Sequence, residues 1–161
     1  MSPTGKASVS GKRKIIRYVE GAVLSIDLGD GTYCFARLLK RPTMAFYDLR
    51  ASHIPPLEEI LSRPVLFKLW VMAYAVTKGV WPVVGRHPLE PSLQEVPVFF
   101  KQDFAGKFCT YREGEERPAT RAEIEGLERA AVWDPEHVVD RLKDHYAGRK
   151  NQWVESLRPK D

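Results

Sequence analysis

From Tyr18 onward, apolar and polar side chains alternate with period two, the pattern of half-buried β-strands. In GAVLSIDLGDGTYCFARLLKR, Ala22, Leu24, Ile26 and Leu28 share one face, and Ser25 and Asp27 share the other. After Gly29-Asp30-Gly31, Tyr33, Phe35 and Leu39 alternate with Cys34, Ala36 and Leu38. Two such runs about an Asp-Gly pair predict a hairpin whose glycines serve the turn. TMAFYDL, entered through Pro42, predicts a third strand. SHIPPLEEILSR predicts a short helix with Pro56 in its first turn, Glu58 and Glu59 at its positive end, and Ile60 and Leu61 docking it.

The most apolar stretch, PVLFKLWVMAYAVTKGVWPVVGR, is too short for a spanning helix, which needs about twenty apolar residues. Read with period two, Val65 to Val76 is a core strand; the alternative is a helix begun at Ser62 and Pro64, since Leu, Met and Ala favour one. The strand's first face is Val65, Phe67, Leu69, Val71, Ala73 and Ala75; its second carries Trp70, Met72 and Tyr74. GVWPVVGR is its continuation or the following strand, bent at Gly79 and Pro82. VPVFF and KFCTYRE predict the last strands, joined by KQDFAG.

The period changes in GEERPATRAEIEGLERAAVW. Thr120 and Glu123 form a capping-box pattern, and Ile124, Leu127 and Ala131 have helical spacing. In WDPEHVVDRLKDHYAG, Asp134 caps a second helix, Pro135 occupies its first turn and Gly148 stops it. Its stripe of Val138, Leu142 and Tyr146 needs a surface to pack on, and the second face of the Val65 strand is the expected one. Trp153, Val154 and Leu157 predict a short docking helix. Strands first and helices last give an α+β domain. The expected form is a strongly bent antiparallel sheet or small open β-barrel, with one short inserted helix and C-terminal helices.

Charge changes this picture at one end only. Residues 1–17 carry five basic side chains and no acid, so the +4 of the whole chain lies there, while the remainder balances 20 basic against 21 acidic groups. Residues 1–14 accordingly read as a disordered basic tail and 15–161 as a single domain, β-rich over 18–112 and helical over 120–158. A near-neutral body weakens a nucleic-acid reading. No signal peptide is apparent, and Cys34 and Cys109 have no metal spacing, so both read as buried thiols of a cytosolic protein.

Chemistry is sparse. His137 and His145 lie two turns apart without a further ligand pattern, and Ser52 beside His53 is mere adjacency, so neither a metal nor a nucleophile is implied. Glu58-Glu59, Glu115-Glu116 and Glu123-Glu125-Glu128 read as solvated faces. Phe46, Tyr47, Trp70, Tyr74, Trp81, Phe99 and Phe100 divide between core and interface roles. No catalytic residue and no cofactor emerge.

EGAVLSIDLGDGTYCFARLL, AFYDLR, PVLFKLWVMAYAVTKGVWPVVGRHPLE and PVFFKQD together resemble the immunity protein 26 family of bacterial polymorphic-toxin systems. The likeness rests on the EG-x-V opening before a Gly-Asp-Gly hairpin, the AFYD strand, and W-P-V-x-G before PLE. It spans roughly residues 14–110. The resemblance implies a non-enzymatic protein that binds a cognate toxin domain and blocks it; no membrane partner or small-molecule substrate is expected, and nucleic acid is disfavoured as a partner. The absence of a signal peptide suggests a toxin acting in the cytosol. With the Trp70 face expected to be covered, the partner surface is sought on acidic elements, at Asp27, Asp30, Glu58 and Glu59. The competing reading is a small β-barrel nucleic-acid-associated module with aromatic stacking positions and a basic arm.

Overall fold

A computed structural model describes residues 14–161, so the tail expected over 1–14 lies outside the described residues except for Lys14. Among the described residues the architecture is α+β: an open six-stranded sheet, a separate three-stranded sheet and five short helices. The strands are β1 Ala22–Asp27, β2 Tyr33–Leu38, β3 Thr43–Tyr47, β4 Val65–Val71, β5 Val83–Arg86, β6 Phe99–Gln102, β7 Phe108–Arg112, β8 Glu115–Ala119 and β9 Val132–Trp133. The helices are α1 Leu57–Leu61, α2 Tyr74–Thr77, α3 Pro91–Gln94, α4 Pro135–Ala147 and α5 Gln152–Ser156. In space the large sheet runs β5-β1-β2-β3-β4-β9, antiparallel except for the β4–β9 pair, and the small sheet runs β6-β7-β8.

The predicted hairpin forms, with Ile26 opposite Cys34 and Asp27 opposite Tyr33. Gly29 and Gly31 both sit at positive φ, +79° and +88°, which an L side chain adopts only with strain. Three inserted helices are present where one was expected, because α2 and α3 are single turns too brief to leave a periodic signal.

The large sheet is covered on both faces, and this explains strands such as TMAFY, in which every residue is buried. On one face Leu24, Ile26, Ala36, Met44, Phe46, Leu69 and Val71 pack with Val138 and Leu142 of α4. On the other, Val23, Phe35 and Tyr47 meet Ile60 of α1, and Ala45 and Leu39 meet Leu93 of α3.

Helix α4 therefore corrects an expectation: its stripe lies on the Phe67–Leu69–Val71 face of β4 and leaves the Trp70 face to other elements. Arg141 fixes the contact, with its guanidinium 3.8 Å from the centre of the Phe67 ring and a two-pronged ion pair to Glu128 at 2.8 and 3.0 Å. Gly148 ends α4 as expected, left-handed at φ +69°, and Pro135 lies in the first turn; Asp134 occupies the N-cap position, but its side chain makes no capping hydrogen bond.

The predicted strand over Val65–Val76 stops at Val71. Thr43 pairs with Trp70, so Pro42 falls opposite Val71; it accepts from the Val71 N–H at 3.2 Å but has no N–H to return, and the ladder ends there. The Met-Ala-Tyr-Ala sequence then turns into α2, burying Ala75 and Val76 as helical residues. A bulge where Phe46 pairs with Phe67 but Tyr47 with Val65 also puts Val65 on the opposite face from Phe67.

The helix predicted around Ile124 is absent. Its capping box does form: the Thr120 N–H donates to Glu123 Oε1 at 3.0 Å, and the Glu123 N–H donates to Thr120 Oγ1 at 3.2 Å. The turns it starts end at Gly126, φ +81°. Beyond it the backbone serves β6, with the Phe100 N–H donating to Glu128 O at 3.0 Å and the Ala130 N–H to Phe100 O at 2.8 Å. Pairing with β6 thus outweighs local helix propensity, and residues 128–133 lead from the small sheet into β9 of the large one. Strand β8 carried no apolar alternation; it is an exposed edge strand that tolerates Pro118.

Among the described residues one charged side chain lies wholly inside. Arg37 of β2 is 0% exposed and makes five hydrogen bonds. Its Nε donates to Gly21 O at 2.9 Å, one terminal nitrogen to Tyr47 Oη at 2.9 Å and Glu90 Oε2 at 3.1 Å, and the other to His87 O at 2.6 Å and Pro88 O at 2.8 Å. Gly21 is held there at φ +91°, and a Cβ on it would meet His87 O at 2.4 Å. Arg37→Leu is expected to cost about 3–5 kcal/mol, because it strands several buried acceptors and the Glu90 carboxylate. Arg37→Lys is expected to remain well short of the wild-type unfolding midpoint, since an ammonium cannot span the five acceptors. A wild-type midpoint for the Leu variant in chemical denaturation contradicts this assignment.

Candidate interaction surface

The four acidic positions singled out above are all exposed, and three of them have local partners. Asp27 Oδ1 accepts from the Gly29 N–H at 2.8 Å, and Asp30 accepts from the Thr32 N–H at 3.0 Å and from the Thr32 hydroxyl. Both carboxylates shape the β1–β2 turn. The Thr32 hydroxyl bond, helped by the charges of Arg50 and Lys143, holds the Asp30 carboxyl below its usual range. Glu58 and Glu59 lie in the first turn of α1, and Glu59 reaches Arg63 at 3.7 Å. No hydrogen bond or ion pair among the described residues joins the β1–β2 pair to the α1 pair.

The aromatic residues divide as their burial dictates. Phe46, Tyr47, Trp81, Phe99 and Phe100 are buried. Trp70 is half-buried, packed against Phe99 at 4.7 Å and edge-on to Tyr111 at 5.4 Å. The small sheet therefore covers the Trp70 face, with a shallow depression of about 440 Å³ left between Trp70, Tyr111, Val132, Lys40 and Arg41. Met72 just beyond is 42% exposed.

Reactive chemistry is scarce among the described residues. Burial pushes the Cys34 thiol up to about 12, so it stays protonated and unreactive near neutrality. Cys109 is half-buried, more open than expected, and neither cysteine is in a disulfide. No group of three or more His, Cys, Asp or Glu side chains among the described residues could hold a metal ion. His137 instead stacks on Trp153 at 3.6 Å, and His145 meets Tyr146 edge-on at 4.8 Å. No described helix is long and apolar enough to cross a membrane.

Sequence reasoning missed the Arg37 node, since a lone arginine in an alternating strand reads as a solvent-facing residue. The signal was nonetheless present in the motifs. Gly21 of the EG opening, Tyr47 of AFYD and Glu90 of PLE are three of Arg37's partners. Burial acting alone would raise the Glu90 carboxyl; hydrogen bonding and the Arg37 charge outweigh it and hold the group below its usual range.

The model of the family described as immunity protein 26 matches residues 19–108, more than half of the chain. The chain belongs to that family. No curated protein and no solved structure matches it. The immunity protein 26 segment contains β1 to β6 and every residue of the Arg37 node, whereas α4 and α5 lie outside it. Immunity protein families are usually non-enzymatic and point to a protein partner, a toxin.

Trp70→Ala tests whether the Trp70 face is structural. It removes contacts that tie the two sheets together, and about 3 kcal/mol of destabilisation is expected, the low end for a truncated tryptophan. A normal melting temperature combined with lost partner binding would make this face the working surface.

Proposed function

We propose that this immunity protein binds the toxin domain of a bacterial polymorphic-toxin system one to one and neutralises it by occlusion. The match to the immunity protein 26 family over residues 19–108 carries this reading. Occlusion requires a stable complementary surface and no perturbed nucleophile or base. The toxin is proposed to act in the cytosol, where the protein itself would reside. Strong affinity is required of such an inhibitor, since a small fraction of escaping toxin would be harmful; nanomolar binding corresponds to about −12 kcal/mol.

Co-expression with the C-terminal domain of a large secreted protein encoded beside this chain tests the reading. Growth arrest by that domain alone, relieved by this protein with co-purification at equal stoichiometry, is the expected result. Arrest that persists at excess protein, with no complex recovered, would refute it.

A further inference from the structure

Strands β6 and β7 are joined by a short turn, and hydrogen bonding fixes that turn closely. Asp103 Oδ1 accepts from the N–H groups of Ala105 and Lys107, both at 2.9 Å. The Asp103 N–H donates to Lys107 O at 2.9 Å, the Gly106 N–H donates to Asp103 O at 3.0 Å, and Gly106 takes φ +84°. At the tip of this turn Phe104 is 113% exposed, more than any other large apolar side chain among the described residues. A phenyl ring standing wholly in water adds nothing to folding and raises the risk of association. Yet the turn carries it on ordered backbone.

The tip does not stand alone. Gln102, at the end of β6, is bonded twice to Lys160: its Nε2 donates to Lys160 O at 2.6 Å, and its Oε1 accepts from the Lys160 N–H at 2.9 Å. Arg129, stacked 4.8 Å from the Phe100 ring centre, donates to Leu157 O at 2.9 Å and to Arg158 O at 3.2 Å. The turn and residues 156–161 therefore form one continuous surface, with a shallow hollow between them. It carries charges of both signs, Lys107, Arg129 and Lys160 against Asp103 and Asp161. Lys107 and Lys160 have no ion pair among the described residues, Asp103 Oδ1 is committed to the turn, and Asp161 faces Arg121 at 3.1 Å.

We propose that Phe104 anchors the toxin contact, inserting into an apolar pocket of the toxin domain whose rim carries carboxylates opposite Lys107 and Lys160. The proposal rests on the toxin-binding reading above and names its surface. An aromatic carried on a turn whose backbone is already fixed loses only its own side-chain freedom on docking, and not that of the loop, the property expected of an interface anchor. A lipid surface fits less well, since one ring and two lysines supply far less than stable membrane anchoring requires.

The test measures binding of the purified toxin domain encoded beside this chain to the wild type, Phe104→Ala, Phe104→Leu and the double variant Lys107→Glu/Lys160→Glu. Phe104→Ala is expected to weaken binding by about 30-fold or more, the scale of an interface hot spot, mainly through faster dissociation. Its melting temperature should not change, because the ring makes no native contact to lose. Phe104→Leu should recover part of the affinity. The lysine reversals should slow association and invert its salt dependence. Wild-type binding with Phe104→Ala within twofold of it overturns the inference and leaves toxin binding intact. Loss confined to a Glu58→Lys/Glu59→Lys variant does the same and places the contact on α1. Phe104-dependent capture by anionic vesicles, or Phe104-dependent self-association in sedimentation, with toxin affinity unaltered, assigns the ring to another partner and also overturns it. Failure of the wild type to bind removes the functional reading itself, and the inference with it.

Discussion

A guanidinium buried inside a sheet is tolerable only when its donors are met, because desolvating the charge costs several kcal/mol. Arg37 satisfies that condition with acceptors from three separate parts of the chain: Gly21 just before β1, Tyr47 of β3, and the 87–90 connection between β5 and α3, which supplies two backbone carbonyls and the Glu90 carboxylate. Much else follows from it. Gly21 must lack a side chain, the chain after β5 must pass close beneath β1, and α3 must begin where Glu90 can reach in. Directional bonds of this kind set a unique arrangement where apolar contacts alone would permit several.

The same node explains why the family likeness was legible before its cause was. EG, AFYD and PLE are far apart in sequence and share no common local role, yet their residues meet at Arg37. Period-two alternation exposed the β1–β2 hairpin and the third strand, since local patterning and tertiary environment agree there. Caps disclosed α4 for the same reason. Where the two disagreed, sequence misled: Thr120 and Glu123 form their capping box, but the 128–130 backbone is drawn into pairing with β6. Likewise the apolar run from Val65 continues past Val71 while its strand partner ends at Pro42. Burial of β2 on both faces also hid Arg37, because alternation distinguishes inside from outside only when one face is wet.

The candidate site was less legible than the fold, and for a physical reason. Catalytic and metal sites are marked by residue types with demanding geometry, but a binding surface need only be complementary to its partner. Asp27 and Asp30 illustrate the difficulty, as their carboxylates are partly accounted for by the turn they stabilise. Phe104 lies in a connection whose composition, KQDFAG, reads as an ordinary turn; only its full exposure on a fixed backbone distinguishes it. The helices beyond the family match are also part of the design, since Val138 and Leu142 complete the core and Arg141 locks α4 to Phe67.

The central claim is that this immunity protein works by stoichiometric occlusion. Titrating the activity of the purified toxin domain with the purified protein tests it most directly. A linear fall to complete inhibition at one equivalent, with both proteins recovered chemically unchanged, is the predicted result. Activity that survives a large molar excess, or inhibition by a substoichiometric amount that leaves the toxin covalently altered, would contradict the account.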